Sequence, residues 1–542
     1  MRRTHWLLAA ALTSLSPRPA LAQINPSFVP PARPDQNPRS IRERQRPGPR
    51  TPRARARNTR VTPFVLRQVV IEGSTLPASE LEAAWRPFVG ETLDTRGLLK
   101  VTDALAQVFE RDDIAIYTVT IENQAFTDGV LRIRALEGHI ESVDVQGPAG
   151  VRSRALVDAY VRKLTAQQPL RRSTLQRYVS LIRDISGLDS EMNLENGSSS
   201  TGVRMTLKLK PHPVQVALAL NNRGTAFLGR TQIQGDLILN SLLRQGDQIR
   251  LTAAFPTDFN RFQFYATQLA EPLGADGAVL TANASYLRTR PKDTTILGQT
   301  VSAGVQVSYP LLRSYDRKAY FTLDLDGANN RNAFLGFTFA NDQIRALRLA
   351  FSYTRQNARL LYDFSATYSQ GLDALGAHTL TPGAETLDFH KWNVKGGLSL
   401  GLGNHGALRL HAAGQWSGEP LPPTEQFALG GEEFGRGYEA STLAGDDAVA
   451  ASAELAYAFP KVPVAFSGSE AYAFADVGEV WYKSRFGQPT AAAGLASLGF
   501  GVRATIAQKA VVQLEAADPL ENPTPLLGRR GWRGIVSIRT LF

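Results

Sequence analysis

The sequence lacks several residue patterns that carry chemistry in other proteins. None of its 542 residues is cysteine, so it can form neither a disulfide framework nor a thiolate metal site. It contains no G-x-S-x-G nucleophile elbow and no nucleotide-binding motif. Metal-ligand spacing is missing from the histidines at 139, 212, 378, 390, 405 and 411. We therefore predict no catalytic residue, no metal site and no cofactor, and we predict that the protein is not an enzyme.

Long apolar runs are also missing beyond the N-terminus. After residue 22 no stretch approaches the roughly 20 apolar residues that a transmembrane helix needs, which excludes a helical inner-membrane protein. The first stretch, MRRTHWLLAAALTSLSPRPALAQ, combines two early arginines, a short apolar segment and an Ala20-Leu21-Ala22 cleavage pattern. This layout predicts a secretory signal peptide over residues 1–22. Export without a helical anchor leaves the periplasm, the outer membrane or the medium as the destination.

The formal net charge of +11 is confined to the N-terminal part. Residues 1–22 carry +3 and residues 31–60 carry +8, so the chain from residue 61 onward is formally neutral. The basic stretch is rich in proline and poor in large apolar residues, which predicts an extended linker over residues 23–60. A solvated tether and a segment that touches anionic lipid or the cell wall are both open alternatives. The neutral remainder predicts no nucleic-acid partner.

From about Phe64 the sequence becomes typical of folded domains, and one order of secondary-structure elements occurs twice. Residues 61–138 begin with the alternating VLRQVVIEG, continue with two stretches of helical apolar spacing and end in two alternating stretches. Residues 139–212 repeat this order, from HIESVDVQG to VRMTLKLK. The shared order of strand, helix, helix, strand, strand predicts a duplicated α+β module.

From residue 213 onward, alternation of apolar and polar residues replaces the helical signals. In AYFTLDLD, for example, Phe321, Leu323 and Leu325 share one face. About sixteen such segments can be counted to the C-terminus, a pattern also typical of a soluble β-sandwich or propeller. The export signal, segment lengths near ~10 residues and the even count favour a transmembrane antiparallel β-barrel of about 16 strands over residues 213–542.

The longest segment between strands of this half runs from about residue 417 to 448 and contains FGRGYEA. Loops of this length are usually functional. Gly435 and Gly437 permit a tight turn that presents the long cationic side chain of Arg436, followed by Tyr438. An alternating segment further along the chain contains the pattern F-x-D-x-G, formed by Phe474, Asp476 and Gly478.

Taken together, these features resemble one known family. Two repeats similar to polypeptide-transport-associated (POTRA) domains, a barrel, a GRGY loop and an F-x-D-x-G strand resemble the two-partner secretion transporters, the haemolysin secretion/activation family of the Omp85 superfamily. The resemblance covers residues from about 64 to 542. It implies POTRA 1 at 61–138 and POTRA 2 at 139–212. The final WRGIVSIRTLF, with the terminal aromatic Phe542, resembles the strand by which the Gram-negative outer-membrane insertion machinery recognises its substrates.

In this family the long loop folds into the barrel lumen, which implies that Arg436 pairs with Asp476. An arginine fork can hold a carboxylate bidentately, and Gly478 would leave space where the loop meets the strand. The alternative is that GRGY is only an exposed turn. The family usually has a β-branched residue where this sequence has Gly435. Many members also carry an N-terminal plug helix, for which residues 23–60 offer only SIRERQR.

The resemblance implies an outer-membrane protein with periplasmic POTRA domains that exports one large unfolded exoprotein of the haemolysin or filamentous adhesin type without ATP. Expected partners are this exoprotein, captured along POTRA sheet edges, outer-membrane lipid and the barrel-assembly machinery. Lumen charges would line a polar path: Asp324, Arg348, Arg503 and Glu515. The rival hypotheses are a barrel-assembly factor of the same superfamily, a passive porin and an enzyme with a lipase-like domain.

Overall fold

The computed structural model describes residues 62–542, apart from residues 123, 148–153, 336, 381–382, 384, 488, 508 and 522–530. The predicted signal peptide, 1–22, and the predicted linker, 23–60, lie outside the described residues.

The first part of the described chain forms a small α+β unit. Its elements are β1 (Phe64–Val65), β2 (Gln68–Glu72), α1 (Ala78–Trp85), β3 (Thr92–Leu93), α2 (Thr95–Arg111), β4 (Tyr117–Thr120) and β5 (Val130–Glu137), with short 3-10 helices at Arg86–Phe88 and Thr127–Gly129. The sheet order is β2-β5-β4, with β2 parallel and β4 antiparallel to β5. Strands β1 and β3 form a separate antiparallel pair.

Helix α2 shows why this unit folds. Asp94 caps its N-terminus by accepting a hydrogen bond from the Gly97 N–H at 2.8 Å, and this bond is the main cause that lowers the pKa of the Asp94 carboxyl. Apolar residues at helical spacing face the sheet and are buried: Leu98, Val101, Leu105, Val108 and Phe109. Within the described ranges, no helix combines the length and the apolar character needed to cross a bilayer.

A second α+β unit follows with the same sheet arrangement. Its elements are β6 (His139–Gln146), α3 (Arg154–Thr165), α4 (Arg172–Asp184), β7 (Leu188–Asn196) and β8 (Gly202–Pro211). The order is β6-β8-β7, again with one parallel and one antiparallel pair. Its core joins both helices to the sheet, with Val157 and Leu164 of α3, Val179 and Ile182 of α4, and Met205 of β8 all buried.

The rest of the chain forms a closed barrel of sixteen antiparallel strands, which confirms the predicted barrel. Its first eleven strands are β9 (Val214–Asn221), β10 (Gln232–Asn240), β11 (Gln248–Pro256), β12 (Phe262–Leu273), β13 (Ala278–Thr289), β14 (Ile296–Arg313), β15 (Arg317–Phe334), β16 (Phe337–Gln356), β17 (Leu360–Gly371), β18 (His390–Leu402) and β19 (Gly406–Ser417). A separate two-stranded hairpin follows, formed by β20 (Phe427–Leu429) and β21 (Leu443–Gly445). The last five barrel strands are β22 (Asp447–Ala458), β23 (Glu470–Tyr482), β24 (Ala491–Ile506), β25 (Ala510–Pro519) and β26 (Arg533–Leu541). Short 3-10 helices lie at Pro423–Glu425 and Val464–Phe466. Strand β26 pairs with β9 and closes the sheet.

Alternation along the strands separates a lipid face from a lumen face. On β15, Phe321, Leu323 and Leu325 point outward with 42%, 43% and 43% of their surface exposed. Between them Thr322 points inward, where its hydroxyl lies 3.2 Å from that of Ser308. Because lipid offers no hydrogen-bond partner, closure of the sheet is what allows these strands to cross a membrane.

The two ends of the barrel differ. Strand β9 starts next to the second α+β unit, so we call this end the near end and the opposite one the far end. Connections after every second strand return to the near end, and those in between lie at the far end. By this alternation, the connection from β19 to β22, which carries the GRGY sequence, enters from the far end.

Helix α4 joins the second unit to the near-end turns of the barrel. Asp184 accepts two hydrogen bonds from Arg313, at 2.6 and 2.7 Å. Tyr178 donates its hydroxyl to Asp276 at 3.0 Å. Burial, followed by this bond to Asp276, raises the pKa of Tyr178 to about 12, so the phenol stays protonated and remains a donor at neutral pH. Leu181 packs against Gly277 between these polar contacts.

The two faces of β15 allow a paired test of the membrane-spanning surface. Leu323→Arg places a charge in lipid and should destabilise the inserted barrel by about 2–4 kcal/mol. Thr322→Arg, one residue away, places the same charge in the lumen and should be tolerated. Refolding of both variants into lipid vesicles at increasing urea concentration measures the difference. Equal destabilisation by both variants would contradict the assigned faces.

Candidate functional site

The connection between β19 and β22 spans residues 418–446, slightly shorter than the expected 417–448, and we call it the lumen loop. It contains the β20–β21 hairpin and the 3-10 helix Pro423–Glu425, which the sequence patterns did not predict. Many of its side chains contact inward-facing residues of the barrel wall. The loop is therefore a folded element inside the barrel.

Arg436 lies at the tip of the lumen loop and contacts Asp476 of β23. Its backbone N–H donates to Asp476 Oδ2 at 2.9 Å, its Nε to the same oxygen at 3.1 Å and its Nη2 to Oδ1 at 3.0 Å. Ser497 on β24 donates to Asp476 Oδ2 at 3.2 Å. Only 6% of Arg436 and 3% of Asp476 are exposed, so the GRGY segment is not an exposed turn.

The other side of the Arg436 guanidinium faces further wall residues. Nη1 donates to Glu454 Oε2 at 3.1 Å, and Nη2 donates to the Ser452 hydroxyl at 3.0 Å. The guanidinium carbon lies 3.4 Å from the centroid of the Phe474 ring, which gives a cation–π contact. Phe474 of the F-x-D-x-G motif therefore forms a stacking surface beneath the arginine.

Arg436 belongs to a larger network of buried and partly buried residues with equal numbers of opposite charges. Arg409 reaches Glu454 at 2.7 Å and Glu470 at 2.8 Å, and Arg503 reaches Glu454 at 3.2 Å. A second branch joins Arg223 to Glu515 at 3.0 Å, and Glu515 lies 3.7 Å from Arg436. The members are four arginines, 223, 409, 436 and 503, and four carboxylates, Glu454, Glu470, Asp476 and Glu515. Such mutual pairing is what permits buried charges in the lumen.

Three glycines set the fit between the lumen loop and the wall. Gly435 has φ +79°, and a Cβ there would lie 2.6 Å from Leu495 Cδ1. A Cβ on Gly437 would lie 2.9 Å from the backbone nitrogen of Pro519. On the wall, a Cβ on Gly478 would lie 2.8 Å from Leu429 Cδ1 of the loop. The glycines of both motifs therefore allow close approach of loop and wall.

Tyr438 links the loop tip to the far-end part of the wall. Its hydroxyl accepts a hydrogen bond from the Glu521 N–H at 3.0 Å and lies 2.9 Å from the Ala496 carbonyl. Its own carbonyl accepts a hydrogen bond from Arg533 at the start of β26. The tyrosine therefore connects the Arg436 turn to the strands beside the closing seam.

A second buried charge of the loop, Glu425, contacts the wall at a different place. Glu425 Oε1 lies 2.8 Å from Arg348 Nη2, and Oε2 lies 2.6 Å from Lys391 Nζ. Lys391 also donates to the Glu425 carbonyl at 2.8 Å. These wall residues belong to β16 and β18, whereas the Arg436 contacts lie on β22 to β24. The loop is thus held at two separated parts of the wall.

One carboxylate, Asp446, joins the two ends of the lumen loop. It accepts a hydrogen bond from the Leu421 N–H at 2.9 Å and another from the Lys483 N–H at 2.8 Å. Arg485 reaches the same carboxylate at 2.6 Å. Asp446 is fully buried, so its several donors compensate for the loss of water.

The C-terminal residue lies apart from this site, at the seam that closes the barrel. Phe542 N–H donates to the Val216 carbonyl at 2.8 Å, and 63% of the Phe542 surface is exposed. Its outward neighbours Val536 and Ile538 are exposed on the lipid face as expected, while Ser537 faces inward. The role of Phe542 as an assembly signal stays a prediction.

Sequence reasoning missed several members of this site. Arg409 and Glu454 sit at inward positions of alternating strands, so the alternation could have marked them as lumen charges. Arg223 follows the end of β9, where no pattern predicts its direction. Glu425 and Asp446 lie in the loop among proline and glycine, where periodicity carries no information. The wall partners of Glu425, Arg348 and Lys391, come from two different strands, β16 and β18.

Comparison with known proteins identifies the family of the chain. A sequence model of the family described as haemolysin secretion/activation protein ShlB/FhaC/HecB matches residues 200–504. A model of the POTRA domain, ShlB-type, matches residues 64–138. The chain belongs to the haemolysin secretion/activation family. This membership makes it an outer-membrane β-barrel protein of the transporter class.

Several individual relatives are similar to this chain over most of its length. The outer membrane transporter CdiB of Escherichia coli is 23% identical over 415 residues, which cover 74% of this chain and 70% of that protein. The solved structure of CdiB from Escherichia coli superposes with a TM-score of 0.74 at 20% identity, covering 97% of this chain and 98% of that one. BamA from Haemophilus ducreyi lacking POTRA domains 1-3 gives a TM-score of 0.50 at 14% identity, covering 88% and 100%. These structures are similar to this chain in fold.

The resemblance implies a β-branched residue before Arg436, where this chain has Gly435, and the effect of this difference can be tested. Gly435→Val introduces the β-branched type of residue, but at φ +79° it should cost about 1–3 kcal/mol and weaken docking of the lumen loop. Ala444→Cys provides a reporter, since Ala444 is fully buried in the loop hairpin and the chain has no other cysteine. We expect a membrane-impermeant maleimide to label this cysteine about tenfold faster in the valine variant.

Gly418→Val is the matched control for this experiment. It lies in the same loop, and a Cβ there would have no heavy atom within 4 Å. Its labelling rate should equal that of the Ala444→Cys parent. If Gly435→Val also labelled at the parent rate, the left-handed turn would not be a constraint on docking.

Proposed function

We propose that this protein is a two-partner secretion transporter that recognises an unfolded exoprotein at its α+β units and passes it through the barrel to the outside. The observation that carries the proposal is the buried contact of Arg436 with Asp476. A pore that only passes small solutes does not require a folded loop whose Arg436 pairs with Asp476 and Glu454 of the wall. For a loop that leaves the lumen and returns to one position, we propose that such pairing specifies the docked arrangement.

The α+β units are suited to capture an extended chain in the periplasm. In each sheet the central strand, β5 or β8, is covered on both sides, so the outer strands are edges. An edge strand offers backbone N–H and C=O groups that an extended polypeptide can pair with largely independently of its sequence. We propose that residues 61–138 and 139–212 are the two POTRA domains that make this contact, after a signal peptide at 1–22 and a linker at 23–60.

The proposed function also includes specific partners and an energy source for transport. The exoprotein is proposed to be of the haemolysin or filamentous adhesin type, and the outward apolar band to contact outer-membrane lipid. Phe542, exposed at the closing seam, is proposed as the contact with the barrel-assembly machinery. We propose transport without ATP and without a catalytic step, in which folding of the exoprotein outside the cell favours outward movement.

Within the site, each motif residue has a proposed role. Arg436 and Asp476 position the lumen loop, Phe474 supports the guanidinium, and Tyr438 orients the turn toward the closing seam. Gly435, Gly437 and Gly478 supply the close approach that these contacts need. None of these residues is proposed to touch the exoprotein.

Secretion by an Arg436→Ala variant tests this proposal. The substitution removes the cation between Asp476 and Glu454, so the loop loses its defined position while the sixteen-stranded sheet keeps its own hydrogen bonds. We expect a folded, membrane-inserted barrel and about a tenfold or greater loss of secreted exoprotein, since loss of one partner of a buried pair costs roughly 3–5 kcal/mol. The assay measures the large exported protein encoded beside the gene in the medium of a Gram-negative host.

Arg261→Ala is the control, because Arg261 pairs with Asp258 at 2.7 Å in an exposed far-end turn away from the lumen. It should secrete like the parent. Full secretion by Arg436→Ala would refute the role of the lumen loop. If the parent chain leaves the exoprotein in the periplasm and instead changes the abundance of other outer-membrane proteins, the chain is a barrel-assembly factor.

A further inference from the structure

A row of inward-facing residues crosses four neighbouring strands where the lumen loop carries Glu425. Asp324 on β15 is registered opposite Arg348 on β16, Arg348 is opposite Ser369 on β17, and Ser369 is opposite Lys391 on β18. The row therefore places one acid, one arginine, one serine and one lysine side by side. Adjacent register partners of this kind are close enough for direct side-chain contact.

With the loop in the lumen, Arg348 does not pair with its register partner. Its guanidinium donates instead to Asp326, with Nη2 3.0 Å from Oδ1, and to Glu425, with Nη1 3.0 Å from Oε2. A further bond runs from Nη1 to the Ser369 hydroxyl at 3.1 Å. The N–H donors of the Arg348 guanidinium are thus all engaged by Asp326, Glu425 and Ser369.

Asp324 is not among the residues that accept hydrogen bonds from Arg348. Its Oδ1 is buried and has no hydrogen-bond partner among the described residues. An unpaired buried carboxylate oxygen is costly, so this arrangement is held by what the loop gains elsewhere. The charges agree with this, because three carboxylates (Asp324, Asp326 and Glu425) meet only two cations, Arg348 and Lys391.

Withdrawal of the loop would change this balance. Glu425 would leave with the loop, and the wall would keep Asp324 and Asp326 against Arg348 and Lys391, two charges of each sign. Arg348 would then be free to turn to its register partner Asp324. The wall itself thus contains a replacement for the carboxylate that departs.

We propose that Glu425 and Asp324 compete for Arg348, so that Glu425 holds the lumen loop in place at rest and Asp324 takes over the arginine when the loop withdraws. Glu425 and Asp324 are then positioning residues of a two-position element, the first favouring the closed pore and the second the open one. This inference rests on the proposed transport function, since it concerns how the pore opens. It requires no contact with the exoprotein.

The exchange lowers the cost of opening. Without Asp324, removal of Glu425 would leave two wall cations facing one carboxylate in a confined lumen, where charge is poorly screened. With Asp324, an ion pair to Arg348 replaces the one that Glu425 made with that arginine, while Lys391 loses its partner in the loop. The equilibrium between the two positions is then governed by one carboxylate of the loop and one of the wall, with opposite effects, which makes it testable by neutralising each one separately.

Labelling of the Ala444→Cys reporter in isolated outer membranes tests this exchange without any exoprotein. Glu425→Gln should increase the labelling rate about tenfold, because the loop loses its pairing with Arg348 and Lys391. Asp324→Asn should decrease the rate by a similar factor, because the withdrawn state loses its replacement acceptor. Conductance of the purified chain in planar lipid bilayers should change in the same two directions.

Asp236→Asn is the matched control for the charge change. Asp236 faces the lumen from β10, is 6% exposed and already pairs with Thr252 and Gln234. Its labelling rate and conductance should equal those of the reporter chain. Heat-dependent mobility on gels shows that each variant contains a folded barrel.

The outcomes separate the inference from the proposed function. An Asp324→Asn rate equal to or above the parent rate, with Asp236→Asn unchanged, overturns the exchange. An Arg348→Lys variant adds a second readout, because a lysine cannot bridge two acceptors with a fork and should weaken the opposite effects of the two acids. If labelling and conductance shift as expected while no exoprotein is secreted by the parent, the exchange holds and the secretion proposal fails.

Discussion

The absence of hydrogen-bond partners in lipid is the constraint on which the rest of this structure depends. A sheet in a bilayer must close, and closing sixteen strands creates an interior too wide to be filled by wall side chains alone. The lumen loop occupies part of that interior. Because it brings its own backbone and charged groups into a confined space, its polar groups need partners on the wall, and the networks around Arg436, Glu425 and Asp446 provide them.

These networks differ in composition, and the difference has a physical meaning. Around Arg436 the numbers of positive and negative charges are equal, and the cation also stacks on Phe474. Around Glu425 the docked loop brings a surplus carboxylate. The charges are therefore balanced around Arg436 with the loop in place, whereas around Glu425 three carboxylates, Asp324, Asp326 and Glu425, face the two cations Arg348 and Lys391. An element held in this way has a defined resting position without being bound irreversibly.

The two α+β units connect to the opposite end of the barrel from the lumen loop. Helix α4 of the second unit contacts near-end turns through Asp184 and Tyr178, so this unit lies at the near-end mouth of the barrel. The loop hangs from the far end, where a chain would leave. The second α+β unit and the lumen loop thus belong to opposite ends of the barrel, joined by a wall whose inward rows carry charged residues.

The sequence alone was sufficient for the class of fold and for the two motifs. Period-2 alternation with outward residues such as Leu323 and Leu325 follows directly from contact with lipid on one side, so it can be read locally. The glycines beside Arg436 and the F-x-D-x-G strand could also be recognised, since each is a short contiguous pattern. The sequence alone could not show which charged residues contact each other. Arg348 and Lys391 come from strands separated by a long connection, and Glu425 comes from a loop without periodicity. Among the described residues Asp324 Oδ1 has no hydrogen-bond partner, while Arg348 is engaged by Asp326 and Glu425. Such contacts depend on the register of the closed barrel and on the path of the loop through it, which only the tertiary structure decides.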